Sequence, residues 1–205
     1  MRMDAKSISK AITQYLDRIG VDVQVLEKDA MLLFRTELAD DTNDAPAVIY
    51  CVISIEDSMY TVYTTSTDLS DSDAILAAIT PVSELIVRAN WYCSPGHFDL
   101  NADTGDIRYR NCVFCDTLPN DESIHENIDI AVEQITAFSD DARKVVLEHK
   151  SPRDVIRQAQ TNARQIFVEN DFYHFLVSHL DDDEESETDR GSGEDPEKKT
   201  EKDPE

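Results

Sequence analysis

The chain has 205 residues, a length that suits one domain with appendages better than two full domains. Its 40% hydrophobic and 30% charged residues allow a packed core, and its net charge of −24 weighs against binding to nucleic acid phosphates or anionic lipid. The charge is uneven: residues 181–205 carry a net −9 and the remainder −15, so partners with basic patches and plain solubility are the readings the composition favours.

The elements follow in chain order. Ile8, Ala11, Ile12, Tyr15, Leu16 and Ile19 form one apolar stripe, which predicts a helix over 4–19 with Gly20 as its left-handed C′ residue. Val21, Val23 and Val25 alternate with polar residues as a strand, and Lys28-Asp29 connects it to a second strand at 31–36. A polar loop over 40–46 precedes Val48 to Ile55, a run that is β-branched and apolar on both faces, as a central strand requires. Glu56-Asp57-Ser58 turns into a fourth strand at 59–65, completing an antiparallel meander.

Asp68 to Asp73 caps a short helical piece over 74–79. Thr80-Pro81 reads as N-cap and N1 of a helix through Leu85, Ile86 and Ala89, with Trp91 and Tyr92 closing it against the core. Phe98 and Leu100 mark a strand, and Asp103-Thr104-Gly105-Asp106 a hairpin turn with glycine at the position that needs positive φ. On the returning strand Ile107, Tyr109 and Val113 alternate with Arg108, Arg110 and Phe114.

Asn120 precedes a long helix carrying Ile124, Ile128, Ala131, Ile135, Phe138, Ala142 and Val145. Ser151-Pro152 restarts a further helix, whose pattern runs on through Phe172, Phe175, Leu176 and Leu180. Residues 181–205 hold no apolar stretch to bury and are expected to be disordered. No run approaches the ~20 apolar residues of a membrane helix. The segment 1–6 leads into an amphipathic pattern and not a signal peptide, so Cys51, Cys93, Cys112 and Cys115 are expected to be reduced thiols in a cytoplasm.

The stretch His97-Phe98-Asp99-Leu100-Asn101-Ala102-Asp103-Thr104-Gly105-Asp106-Ile107-Arg108-Tyr109-Arg110 resembles the hairpin of the YbjN-like family. Val145 to Ile156, with Ser151-Pro152 and Asp154, is similar to that family's helix junction. The resemblance covers about residues 4–160. It implies a type III secretion chaperone-like fold and a sensory or regulatory role without enzymatic activity, and it assigns no functional residue. The segment beyond about 160 departs from the family pattern.

Cys112-Val113-Phe114-Cys115 has C-x-x-C spacing, and with Cys93 and His97 it offers four ligands suited to zinc. Residues three apart on a regular strand point to opposite faces, so buried thiols are the favoured reading over a metal or redox site. His125, His149, His174 and His179 fall on expected helices, and the last two lack the i, i+4 spacing of a helical metal pair. No phosphate loop, nucleophile elbow or zinc-protease motif is present, and no cofactor is implied. Arg108 and Arg110 lie on one strand face, to pair with local carboxylates or hold an acidic ligand, the first favoured.

These features give an α+β domain over 1–160 with a twisted antiparallel sheet and helices mainly on one face, a helical extension over 161–180 and an acidic tail over 181–205. The expected function is a non-enzymatic protein-interaction module, chaperone-like or regulatory. Its candidate interface is Phe172, Phe175 and Leu176, which need a cover in cis or from a second subunit, leaving a homodimer open. The alternative is a small metal- or ligand-binding domain built on Cys93, His97, Cys112 and Cys115.

Overall fold

The computed structural model describes residues 3–26, 30–38 and 47–169, without the side chains of 38 and 162–169. The connections expected at Lys28-Asp29 and 40–46, the candidates Phe172, Phe175 and Leu176, and the acidic tail lie outside the described residues. Backbone proximity divides the chain into residues 1–158 and 159–205.

The first unit opens with α1, Ala5–Arg18. The Asp4 carboxylate caps it by accepting from the Ser7 amide at 2.9 Å and the Ser7 hydroxyl at 2.8 Å, and the hydroxyl bond leads in holding that carboxyl below its usual range. The helix ends in a Schellman motif: the Val21 amide donates to the Leu16 carbonyl and the Gly20 amide to the Asp17 carbonyl, with Gly20 at φ +76°. Ile8, Ile12, Tyr15 and Leu16 bury most of the expected stripe, Ala11 is half-buried, and Ile19, at the C-cap, is contrary to expectation 53% exposed.

Strands β1 (Gln24–Leu26), β2 (Met31–Leu38), β3 (Ala47–Glu56) and β4 (Met59–Ser66) form the meander, antiparallel throughout. Ser58, at φ 61° in the two-residue β3–β4 turn, exchanges hydrogen bonds with Met3 and so ties the entry of α1 to this corner of the sheet. After a 3-10 turn at Thr67–Leu69, the Asp71 carboxylate caps α2, Ser72–Ala77.

Helix α3 spans Ile79–Tyr92. Thr80 is not its N-cap, as expected from Thr80-Pro81. Ala78 ends α2 and begins α3, its carbonyl accepting from the Val82 amide at 3.0 Å, and Pro81 falls inside the first turn, where a missing N–H costs nothing. Val82, Leu85 and Ile86 are the buried face of α3. Trp91 and Tyr92 lie off that stripe and, contrary to expectation, are 83% and 63% exposed.

Strands β5 (His97–Leu100) and β6 (Ile107–Phe114) form the expected hairpin, and β6 pairs with β4. The sheet is six-stranded, in the order β1-β2-β3-β4-β6-β5. Asn120 then caps the 26-residue α4, Asp121–Val146, and α5 runs over Pro152–Glu169. The Ser151 carbonyl accepts from the Asp154 and Val155 amides, and Val155 is buried. Residues 159–169 of the second unit continue α5 as helix.

One face of the sheet is covered. Leu32 and Phe34 of β2, Ile49, Cys51, Ile53 and Ile55 of β3, Tyr60 and Val62 of β4, and Ile107 and Tyr109 of β6 bury against Ile8, Ile12 and Leu16 of α1 and Ile124, Ala131 and Ile135 of α4. Within this layer the Thr64 hydroxyl donates to the Ala131 carbonyl at 2.9 Å and the Asn111 amide to the Asn127 side chain at 2.8 Å, whereas the buried Tyr60 hydroxyl has no hydrogen-bond partner among the described residues.

Candidate functional site

Alternation along each strand sends every second side chain to the other face, and the antiparallel registers line these side chains up in rows. One row reads Leu33, Val52, Tyr63, Arg110 and His97 across β2, β3, β4, β6 and β5. A neighbouring row reads Arg35, Tyr50 and Thr65, continues by register to Arg108, and ends at Asp99. Tyr50 is 42% exposed and Phe114, at the end of β6, 80%. Along the described strands of this face the charges balance, with Arg35, Arg108 and Arg110 against Glu37, Glu56 and Asp99. A neutral, amphipathic sheet face on a chain of net charge −24 stands apart from the rest of the molecule.

The arginines are arranged in two groups. On the β5–β6 hairpin, one carboxylate oxygen of Asp99 sits 3.1 Å from the Arg108 Nε and 3.6 Å from the Arg110 Nε. Its other oxygen lies 3.3 Å from the His97 Nε2, to which Arg110 also donates from Nε at 3.1 Å. The Arg108 guanidinium lies over the Tyr63 ring, 4.6 Å from its centroid. Local pairing is thus the observed state of Arg108 and Arg110. Both arginines line a cavity of about 500 Å³ together with Asp99, Leu100, Asn101 and Asp106. Across the face, Arg35 lines a second cavity of about 680 Å³ with Gln24, Leu33 and Tyr50. None of the described residues pairs with Arg35.

The loop over 101–106 fixes the hairpin. The Asn101 amide donates to the Asp106 carbonyl at 2.9 Å, the Gly105 amide to the Asn101 carbonyl at 2.8 Å, and the Asp103 amide to the Asn101 side chain at 3.0 Å. Gly105 takes φ +77° against α2.

Cys93, His97, Cys112 and Cys115 do not come together as one site. The Cys93 thiol, at the end of α3, reaches the Gln134 side chain on α4 at 3.5 Å. His97 is held by Arg110 on the opposite sheet face. Cys112 is exposed and accepts from the Thr61 hydroxyl at 3.5 Å, while Cys115 is buried beyond the end of β6. Among the described residues no group of three or more His, Cys, Asp or Glu is placed to hold a metal ion. The expectation of small buried thiols fits Cys115, fits the half-buried Cys93 in part, and fails for the exposed Cys112. All four cysteines are free. Burial pushes the Cys51 thiol up to about 12 and also raises Cys93 and Cys115.

Burial likewise pushes the Tyr60 phenol up to about 12 and raises Tyr109, whose hydroxyl donates to the Pro95 carbonyl. Neither thiols nor phenols of this kind are nucleophiles or general bases near neutral pH. His125 pairs with Asp129 at 3.1 Å on the exposed side of α4. His149 lies in the α4–α5 connection at φ 53° and not on a helix, and His174 and His179 are outside the described residues. Among the described residues no helix is long and apolar enough to cross a membrane.

The sequence reading singled out Arg108 and Arg110 but not Arg35, Tyr50, Tyr63, Leu33 or Val52. Their signal was present in the run Val48 to Ile55, whose second apolar face (Val48 and Val52) lies opposite the side that α1 and α4 cover. Searches against protein-family models, curated proteins and solved structures found no match to the chain.

Proposed function

We propose that the protein is a non-enzymatic protein-interaction module, chaperone-like or regulatory, that holds a partner against the uncovered face of its sheet. The observation that carries this reading is the face itself: six strands of mixed apolar, aromatic and arginine side chains, neutral on a strongly acidic chain and, among the described residues of the first unit, without a helix over it. Exposed aromatic and arginine side chains are the residue types that dominate binding energy at interfaces. The element order of helix, meander, helices, hairpin and helices supports the YbjN-like, type III secretion chaperone-like expectation. The free cysteines are in keeping with a cytoplasmic setting. Net charge −24 disfavours nucleic acid as the partner.

The test is affinity co-purification of the tagged full chain from its native cells, read by quantitative mass spectrometry. Wild type is compared with Tyr50→Ser/Phe114→Ser, with Phe172→Asp/Phe175→Asp, and with an untagged control. The sheet-face reading expects a partner that the first variant depletes about tenfold or more, a loss of ~1.4 kcal/mol of binding. A partner lost only with the second variant moves the interface to the C-terminal segment. Retention by both variants, or nothing above the control, refutes the face as the interface.

A further inference from the structure

The outer edge of β2 carries an inference of its own, which does not rest on the proposed function. We propose that two copies of the chain pair edge to edge, β2 against β2, about a two-fold axis at Thr36.

The edge is open. β1 pairs only with Met31, Leu32 and Leu33, so among the described residues Phe34–Leu38 has β3 on one side and no strand on the other. The preceding chain leaves the edge at Val23, where a cavity of about 680 Å³ opens beside Phe34 and Arg35. The edge of β5, by contrast, is closed. There the Asn90 side chain of α3 accepts from the Phe98 amide at 2.7 Å and donates to the Phe98 carbonyl at 3.0 Å, as a neighbouring strand would.

The direction of the unpaired backbone groups follows from one bond. The Ile55 amide donates to the Ala30 carbonyl at 2.8 Å, so even-numbered residues of β2 turn their backbone groups to β3 and odd-numbered residues turn theirs away. Beyond Leu33, the outward N–H and C=O groups are therefore those of Arg35 and Glu37. None of them bonds to the backbone of a described residue.

Self-pairing has to bring these odd-numbered residues together, and their charges select the register. A two-fold axis at Arg35 or at Glu37 sets that residue against its own copy, like charge on like charge. An axis at Thr36 sets Arg35 opposite Glu37, Glu37 opposite Arg35 and Thr36 opposite Thr36. All the outward groups are then satisfied, in about four hydrogen bonds. Opposite charges and paired threonines are favourable cross-strand neighbours, whereas like charges are unfavourable. Both charged side chains are exposed and, among the described residues, neither forms an ion pair; Asp22 lines the same cavity as Arg35 without pairing with it. The second copy's β2 lies end to end with β1, which stops at Gln24 opposite Leu33, while β2 itself stops at Leu38.

This self-complementarity favours a second copy over a foreign strand. A chain of net charge −24 repels its copies, so an interface between them has to be balanced locally, and Phe34–Leu38 holds one arginine and one glutamate. A segment that is its own complement about one residue is what a two-fold interface requires.

Sedimentation equilibrium of the full-length protein tests the pairing, from about 1 μM to about 500 μM at physiological salt, since so small an interface is of the weak class. The samples are wild type, Arg35→Glu, Glu37→Arg, an equimolar mixture of these two variants, and the double variant Arg35→Glu/Glu37→Arg. Wild type is expected to dimerise as its concentration rises. Each single variant places two like-charge pairs across the axis and is expected to associate about tenfold more weakly, or worse. The mixture restores opposite charges between unlike copies, and the double variant restores them between like ones, so both are expected to recover association. Misfolding of a single variant would not recover on mixing. A dimer indifferent to the single changes, or a mixture that recovers nothing, overturns the proposal. A wild type that stays monomeric overturns it too, and a protein that then co-purifies with wild type but not with Arg35→Glu gives the edge to a foreign strand.

Discussion

Replacing Gly105 with alanine tests how firmly the arginine-bearing hairpin is anchored. Gly105 sits at φ +77°, a conformation that costs an L-residue about 1–2 kcal/mol. A Cβ there would lie 2.8 Å from the Ser72 carbonyl oxygen, 3.2 Å from the Leu76 Cγ and 3.3 Å from the Ser72 Cα. The Ser72 oxygen is backbone of α2 and yields only if that helix shifts, an overpacking cost of about 1–3 kcal/mol. The restricted unfolded chain returns about 0.4–1 kcal/mol. The net loss is about 1–4 kcal/mol, or roughly 5–10 °C in Tm at the middle of that range. Gly20 supplies the control: it has φ +76°, and no atom lies within 4 Å of its added Cβ. Gly20→Ala should therefore cost about 1 kcal/mol, from conformation alone. Urea unfolding followed by circular dichroism measures both, with an unchanged m-value required for the comparison. If Gly105→Ala proves no more costly than Gly20→Ala, the contact with α2 does not hold the hairpin and the reasoning fails.

Two further outcomes are expected. Ile135→Ala, at a fully buried position of α4, should lose about 2–5 kcal/mol in the same urea assay, whereas Trp91→Ala, 83% exposed, should change stability by less than about 0.5 kcal/mol. Equal losses would place Trp91 in the core after all. The fold also favours the neutral forms of Cys51 and Tyr60, both pushed up to about 12 from ordinary values of 9.0 and 10.0. Below those ordinary values their contribution to stability is complete. Above them the unfolded chain ionises first, so the contribution falls as pH rises from about 9 towards about 12. Urea midpoints measured on either side of pH 9 should drop on the alkaline side, and a midpoint that rises there would refute the assignment.

Local patterning determined much of the architecture. The apolar stripe of 8–19 gave α1, and Gly20 its end, because a 3.6-residue period and a left-handed cap are properties of the chain itself. The alternation on β6 placed Ile107 and Tyr109 inside and Arg108 and Arg110 outside, since a strand's period of two needs no knowledge of its neighbours. What periodicity cannot supply is which surface a given side is pressed against. Trp91 and Tyr92 read as core by their hydrophobicity, yet they fall off the stripe that α3 turns to β5 and α4. Cys93, His97, Cys112 and Cys115 are close in sequence, but the strand pairings leave His97 and Cys112 on one sheet face while Cys93 packs against α4 at the end of α3 and Cys115 is buried. Only tertiary structure decided that β6, not β5, pairs with β4, which sets Arg108 above Tyr63 and across the sheet from Arg35. It also decided that, among the described residues of the first unit, the second apolar side of Val48 to Ile55 has no helix over it. Pairing and cover are long-range contacts, governed by how layers pack and not by any local run of residues.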